Sequence, residues 1–90
     1  MSYYLDFTVQ AEEDIAFHKK AGNKAVINKL IVLLREISEH PHTGTGKPEA
    51  LKYDLAGYWS RRINKEHRLV YQVLQDDVVV IHSAKGHYHS

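Results

Sequence analysis

The chain reads as an α+β fold, β-α-α-β-β-β(-β), with two N-terminal helices packed on one face of a mainly antiparallel twisted sheet. Three observations predict it. Tyr3, Leu5 and Phe7 alternate with Tyr4, Asp6 and Thr8, the period of a half-buried strand. Ile27, Leu30, Ile31, Leu34 and Ile37 recur at three- and four-residue spacing, one face of a helix. Residues 58–63 and 67–74 are strand-forming segments joined by Asn64-Lys65-Glu66, and Val78-Val79-Val80-Ile81 is a last apolar run. Helices followed by a run of strands place the helices together on one sheet face.

Each element has its punctuation. Thr8 is placed to cap a short first helix, and Glu12 and Glu13 fall in its first turn, where the positive end of the helix dipole favours carboxylates. Gly22 can end that helix in a left-handed conformation and Asn23 can start the next, which runs from Lys24 to Glu39. So tight a junction predicts an antiparallel helix pair. Residues 40–46, HPHTGTG, are turn formers and read as a loop. Residues 47–57 stay open between a short strand and an irregular crossing, because Pro48 excludes a helix interior.

Ninety residues predict one domain, 1–90, with a modest core. The formal net charge is +1, but it is unevenly spread. Residues 44–71 hold six cations against three carboxylates, a balance of +3 that leaves −2 for the remainder. A basic patch on a nearly neutral domain suits a polyanion bound at one place. The absence of cysteine excludes disulfides and zinc-thiolate sites and is compatible with a reducing cytosol. The N-terminus lacks the basic start and apolar run of a signal peptide, and nothing approaches the roughly 20 apolar residues of a membrane span. The expectation is a cytoplasmic protein without a membrane segment.

The chemistry concentrates in residues 46–71, GKPEALKYDLAGYWSRRINKEHRLVY, and in Gly86-His87-Tyr88. A carboxylate, three close arginines, lysines and a histidine can hold a phosphodiester and move protons around it without a metal. If Asn64–Glu66 is a three-residue loop, Ile63 faces His67 and Arg62 sits opposite Arg68, on one sheet face with Ser60 and Val70. Trp59, Leu69, Tyr71 and Val73 take the other face, so Trp59 and Tyr71 read as core or dimer-contact residues and His67 as structural. Two arginines across a strand pair repel, so an anion must offset them, either Glu49 or a bound phosphate. On the residues alone, Glu49 reads as a salt-bridge partner and His87 as an ordinary surface histidine. His40-Pro-His42 and His87-Tyr-His89 lack the partners of a zinc site, so no metal and no cofactor is expected.

The order GKPE–LK–L–G–WSRRI–EHRLVY, with His87-Tyr88 near the end, resembles the YoeB/Txe group of bacterial toxins in the RelE superfamily of ribosome-dependent messenger-RNA endonucleases. The likeness spans nearly the whole chain and implies a RelE-like, microbial-RNase-like fold. It implies Glu49 as general base toward a ribose 2′-hydroxyl, His87 as general acid toward the leaving 5′-oxygen, and Arg68 on the phosphorane. Lys52, Arg62, Arg61 and Lys47 are then phosphate-binding candidates, and Tyr88 a stacking or orienting one. It also implies the 70S ribosome and messenger RNA as targets, a YefM/Axe-type antitoxin of the Phd/YefM family, operator DNA bound only by the toxin–antitoxin complex, and a homodimer. The chain departs from the pattern at Lys85-Gly86, where family members carry Arg-Tyr, and in the His89-Ser90 extension. Two rivals compete: a gyrase-directed, ParE-like toxin of the same fold, and a catalytically silent RNA- or ribosome-binding module.

Overall fold

A computed structural model describes residues 2–86 of the chain. Strand β1 (Tyr4–Phe7) leads into helices α1 (Val9–Lys20) and α2 (Lys24–Glu39). Strand β2 (Glu49–Ala50), a 3₁₀ turn (Tyr53–Leu55), and strands β3 (Tyr58–Arg62), β4 (Arg68–Leu74) and β5 (Val78–Ser83) follow. The strands form one sheet in the order β1-β5-β4-β3-β2. The helix pair carries the chain from one sheet edge to the other. The strands then meander back antiparallel until β5 lies beside β1 as the one parallel pair. The α+β architecture expected from the sequence is the one observed.

The caps fix the helix starts where the sequence places them. The Thr8 hydroxyl accepts the Ala11 N–H at 3.1 Å, and the Asn23 side-chain carbonyl accepts the Val26 N–H at 3.2 Å. Gly22 sits between the helices with a φ of 69°. One detail of α2 differs from expectation. Its buried stripe is Val26, Leu30, Leu33 and Ile37, whereas Ile31 is 48 % exposed. Ile31 lies about 100° around the helix from Leu30, outside the buried stripe. Residues 47–57, left open by the sequence, resolve into the two-residue β2 and the 3₁₀ turn.

The core lies between the helices and the inner sheet face. Ala11, Leu30, Leu33 and Ile37 meet Leu69, Tyr71, Val79 and Ile81, all essentially inaccessible to water. Tyr71 is a core residue, and Trp59 packs half-buried against that cluster. The outer sheet face is therefore left to carry the polar chemistry.

Candidate active site

Strand pairing assembles the site. Glu49 on β2 pairs with Ser60 on β3, and Ser60 pairs with Val70 on β4, so the three make one row across the sheet. Arg62 pairs with Arg68 in the row two residues along, on the same face and about 7 Å away. Glu49, Ser60, Arg62 and Arg68, with Gly46 and Lys47, line a groove of about 230 Å³. The Arg62–Arg68 opposition expected from the loop length is thus present, and Glu49 lines the same groove. Ser60 is 3 % exposed and lines it too, although sequence reasoning gave it no part in the site. Its even spacing from Arg62 along the strand already placed it on the arginine face.

The hairpin loop orients Arg68. The Asn64 side-chain carbonyl accepts the N–H groups of Glu66 and His67, each at 2.8 Å, which closes the turn. The Asn64 backbone carbonyl, at 2.9 Å, and that of His67, at 3.3 Å, then accept from Nη1 of Arg68. These partners are neutral, so they steer the guanidinium without cancelling its charge. Arg62 is exposed on the neighbouring strand, so two like charges face each other across the pair.

Gly46 lets the preceding loop come close. Its carbonyl accepts the Arg62 N–H at 2.6 Å, and an added Cβ would lie 3.0 Å from the Arg62 carbonyl and 3.2 Å from Arg61 Cβ. Its φ of 87° is also one that other residues rarely adopt. Lys47 follows with a φ of 53°, a left-handed conformation that costs about 1 kcal/mol or more outside glycine, at the edge of the groove.

Arg61 corrects an expectation. Strand alternation turns it to the apolar face, where it is fully buried. Its Nε donates to the Tyr71 hydroxyl at 3.1 Å, and Nη1 to Glu36 at 3.2 Å and the Thr45 carbonyl at 3.3 Å. Nη2 donates to the carbonyls of His40 and Thr43 at 2.6 and 2.7 Å. A guanidinium committed in this way has no donor for phosphate. Arg61 instead clamps the loop that delivers Gly46 and Glu49. Glu36 completes the clamp by accepting from the Thr45 N–H and hydroxyl, both at 2.7 Å. Those two hydrogen bonds, and then Arg61, hold its carboxyl below the usual range. The Tyr71 hydroxyl donates to the Pro41 carbonyl at 2.6 Å, and burial pushes its pKa up. The sequence holds the clue in the alternation of Trp59, Arg61 and Ile63, which the charge of the WSRR run conceals.

Lys52 is exposed ahead of the 3₁₀ turn and does not line the groove. His87 and Tyr88 lie outside the described residues. The described chain ends at Gly86, whose carbonyl accepts the Arg68 backbone N–H at 2.9 Å, so it finishes beside the groove strand. Among the described residues, no three His, Asp or Glu side chains gather to hold a metal ion. No helix among them is long and apolar enough to cross a membrane.

Fold and groove together define a small α+β domain whose helix-free sheet face presents paired arginines, a lysine and one carboxylate to an anion. Comparison with known proteins names the family. A family model described as the YoeB-like toxin of bacterial type II toxin-antitoxin systems matches residues 7–88, and the chain belongs to that family. Toxin YoeB of Streptomyces coelicolor is 42 % identical over 84 residues, 93 % of this chain and 98 % of that one. Among solved structures, a YoeB/ParE toxin from Agrobacterium tumefaciens superposes with a TM-score of 0.89 at 37 % identity, covering 94 % of this chain and 99 % of that one. A YoeB dimer from Staphylococcus aureus gives 0.84 at 42 % identity, covering 98 % of this chain and 100 % of that one. A YoeB–YefM complex from the same organism gives 0.82 at 44 % identity, with the same coverage.

Proposed function

We propose that this toxin is a metal-independent endoribonuclease that cuts messenger RNA in the ribosomal A site and so inhibits translation. The observation that carries the reading is one groove holding Glu49 and Ser60 in one sheet row and the Arg62–Arg68 pair in the next. Glu49 adds to this cationic lining the one carboxylate that can serve as a base.

In the proposed reaction Glu49 takes the proton of a ribose 2′-hydroxyl, and the oxygen attacks the adjacent phosphorus. Negative charge builds on the pentavalent phosphorane, where Arg68 meets it with a guanidinium already oriented by Asn64. Arg62 and Lys47 hold the non-bridging oxygens, and Lys52 contributes from outside the groove. His87 gives its proton to the leaving 5′-oxygen, and the products are a 2′,3′-cyclic phosphate and a 5′-hydroxyl. A carboxylate is a weak base in water, so positioning supplies much of the rate. Tyr88 stacks on a base of the single-stranded substrate.

By analogy with the Staphylococcus aureus structures, the chain pairs with a YefM-type antitoxin and forms a homodimer. An acidic antitoxin segment laid over the basic groove neutralises it in the cytoplasm, and the complex binds operator DNA. The test is induced expression without a partner, followed by primer extension on cellular messages. Growth arrest with new 5′ ends inside translated codons is expected. Cuts spread over untranslated RNA, or arrest with inhibited supercoiling and intact messages, would reject the reading.

A further inference from the structure

Strand β5 loses its neighbour early. β1 ends at Phe7, opposite Ile81, yet the chain runs on toward Gly86. Thr8 and residues of α1 supply hydrogen-bond partners to the chain beyond Ile81, and the β3–β4 hairpin supplies others. The Thr8 hydroxyl donates to the His82 carbonyl at 3.0 Å, next to a register shift in the β4–β5 ladder. Asp14 Oδ2 accepts the Ala84 N–H at 2.9 Å, and His18 Nε2 donates to the Ala84 carbonyl at 2.8 Å. His67 Nδ1 accepts the Gly86 N–H at 2.9 Å, while the Gly86 carbonyl takes the Arg68 N–H. The Lys85 ammonium lies 4.3 Å from the centre of the Phe17 ring.

Asp14, Phe17 and His18 follow the i, i+3, i+4 spacing of one helix face, and the His18 ring meets the His67 ring edge-on at 4.7 Å. Asp14 and His18 are 3 % and 1 % exposed. Burying a carboxylate and an imidazole is unfavourable unless their hydrogen bonds are made, and apolar side chains would fill the space more cheaply. What the polar pair adds is a fixed backbone at Ala84. Gly86, with a φ of 74°, then turns the chain in a conformation other residues adopt only under strain. Lys85 is drawn to α1, away from the groove.

We propose that Asp14, His18 and His67 are positioning residues that fix the backbone of residues 84–86, on which the action of the acid at position 87 depends. The proposal rests on the reading of His87 as general acid. An acid acts only within hydrogen-bond reach of the leaving oxygen, and a displacement of about 1 Å can cost about 10²-fold in rate.

The experiment compares His67→Leu, His67→Asn, Asp14→Leu and His87→Ala in ribosome-dependent cleavage, with folding checked by circular dichroism and Gly86 amide exchange followed by NMR. Asn carries an oxygen near the position of Nδ1, so it can keep the Gly86 bond. His67→Leu is expected to lower kcat about 10²-fold at unchanged KM and to expose the Gly86 amide. His67→Asn is expected to restore most of both, and Asp14→Leu to lower kcat in the same way by freeing Ala84. A substrate with a 5′-thio leaving group, which departs without protonation, should be cut by His67→Leu and His87→Ala at nearly the wild-type rate. Wild-type cleavage of the ordinary substrate by folded His67→Leu and Asp14→Leu, with His87→Ala inactive, overturns the positioning proposal alone. Full activity of His87→Ala removes the acid and the positioning proposal with it.

Discussion

Arg61, Arg62 and Arg68 carry the same charge but meet three different surroundings, and strand alternation decides which. Arg61 points inward and holds three loop carbonyls, a tyrosine hydroxyl and Glu36. Arg61→Ala should therefore destabilise the domain by about 3–5 kcal/mol, measured by denaturant unfolding, because it strips a buried network of its donor. Arg68→Ala should leave stability unchanged or slightly raised, since it relieves repulsion against Arg62, yet lower the cleavage rate roughly 10²–10³-fold. If Arg68→Ala unfolds the domain, the arginine is architectural and the site assignment fails. Titration adds a second residue-level test. Burial lowers the pKa of His82, so the folded state favours the neutral ring and stability is lost as pH falls below the ordinary value of 6.5. Glu36, lowered by its Thr45 and Arg61 contacts, contributes stability that is present above 4.5 and lost as pH falls through the lowered value. Thermal unfolding followed against pH should show both losses, and His82→Gln should remove only the first.

At the scale of elements, the legible parts were those whose signals are local. The Lys24–Glu39 helix and its Asn23 cap follow from periodicity and one side-chain hydrogen bond. The Arg62–Arg68 register follows from the length of the loop between them. Two features were illegible for a physical reason. β2 is two residues long and exists because the Gly46 carbonyl and β3 hold it, which no pattern within 47–57 encodes. The exposure of Ile31 depends on which face of α2 packs on the sheet, a tertiary property. The hairpin is the element on which the site depends most, because Asn64 both closes the turn and aims Arg68. Asn64→Ala should cost about 1–2 kcal/mol in unfolding free energy through two orphaned N–H groups, and should also slow cleavage. A variant equally unstable but fully active would show that the loop does not orient the arginine.

Across the whole molecule, a formal charge of +1 conceals a groove walled by cations. The site was legible as a set of residue types, and Glu49, Arg62, Arg68 and Lys47 do meet in that groove. Arg61 departs from that set because its place in the strand turns it inward, whatever its charge suggests. An acidic antitoxin segment held mainly by this patch should bind more weakly as salt rises from 0.05 to 0.5 M, in titration calorimetry at roughly the range where screening becomes short. Salt-independent binding would assign the antitoxin contact to an apolar surface instead. The central claim is that the groove cuts RNA by attack of the neighbouring 2′-hydroxyl. The most direct measurement programs ribosomes with a message carrying a single 2′-deoxyribose at the cut position and analyses the ends formed on the all-ribose control. The deoxy message should survive intact while the control yields a 2′,3′-cyclic phosphate and a 5′-hydroxyl. Cleavage of the deoxy message, or control ends bearing a 5′-phosphate and a 3′-hydroxyl, would contradict the mechanism.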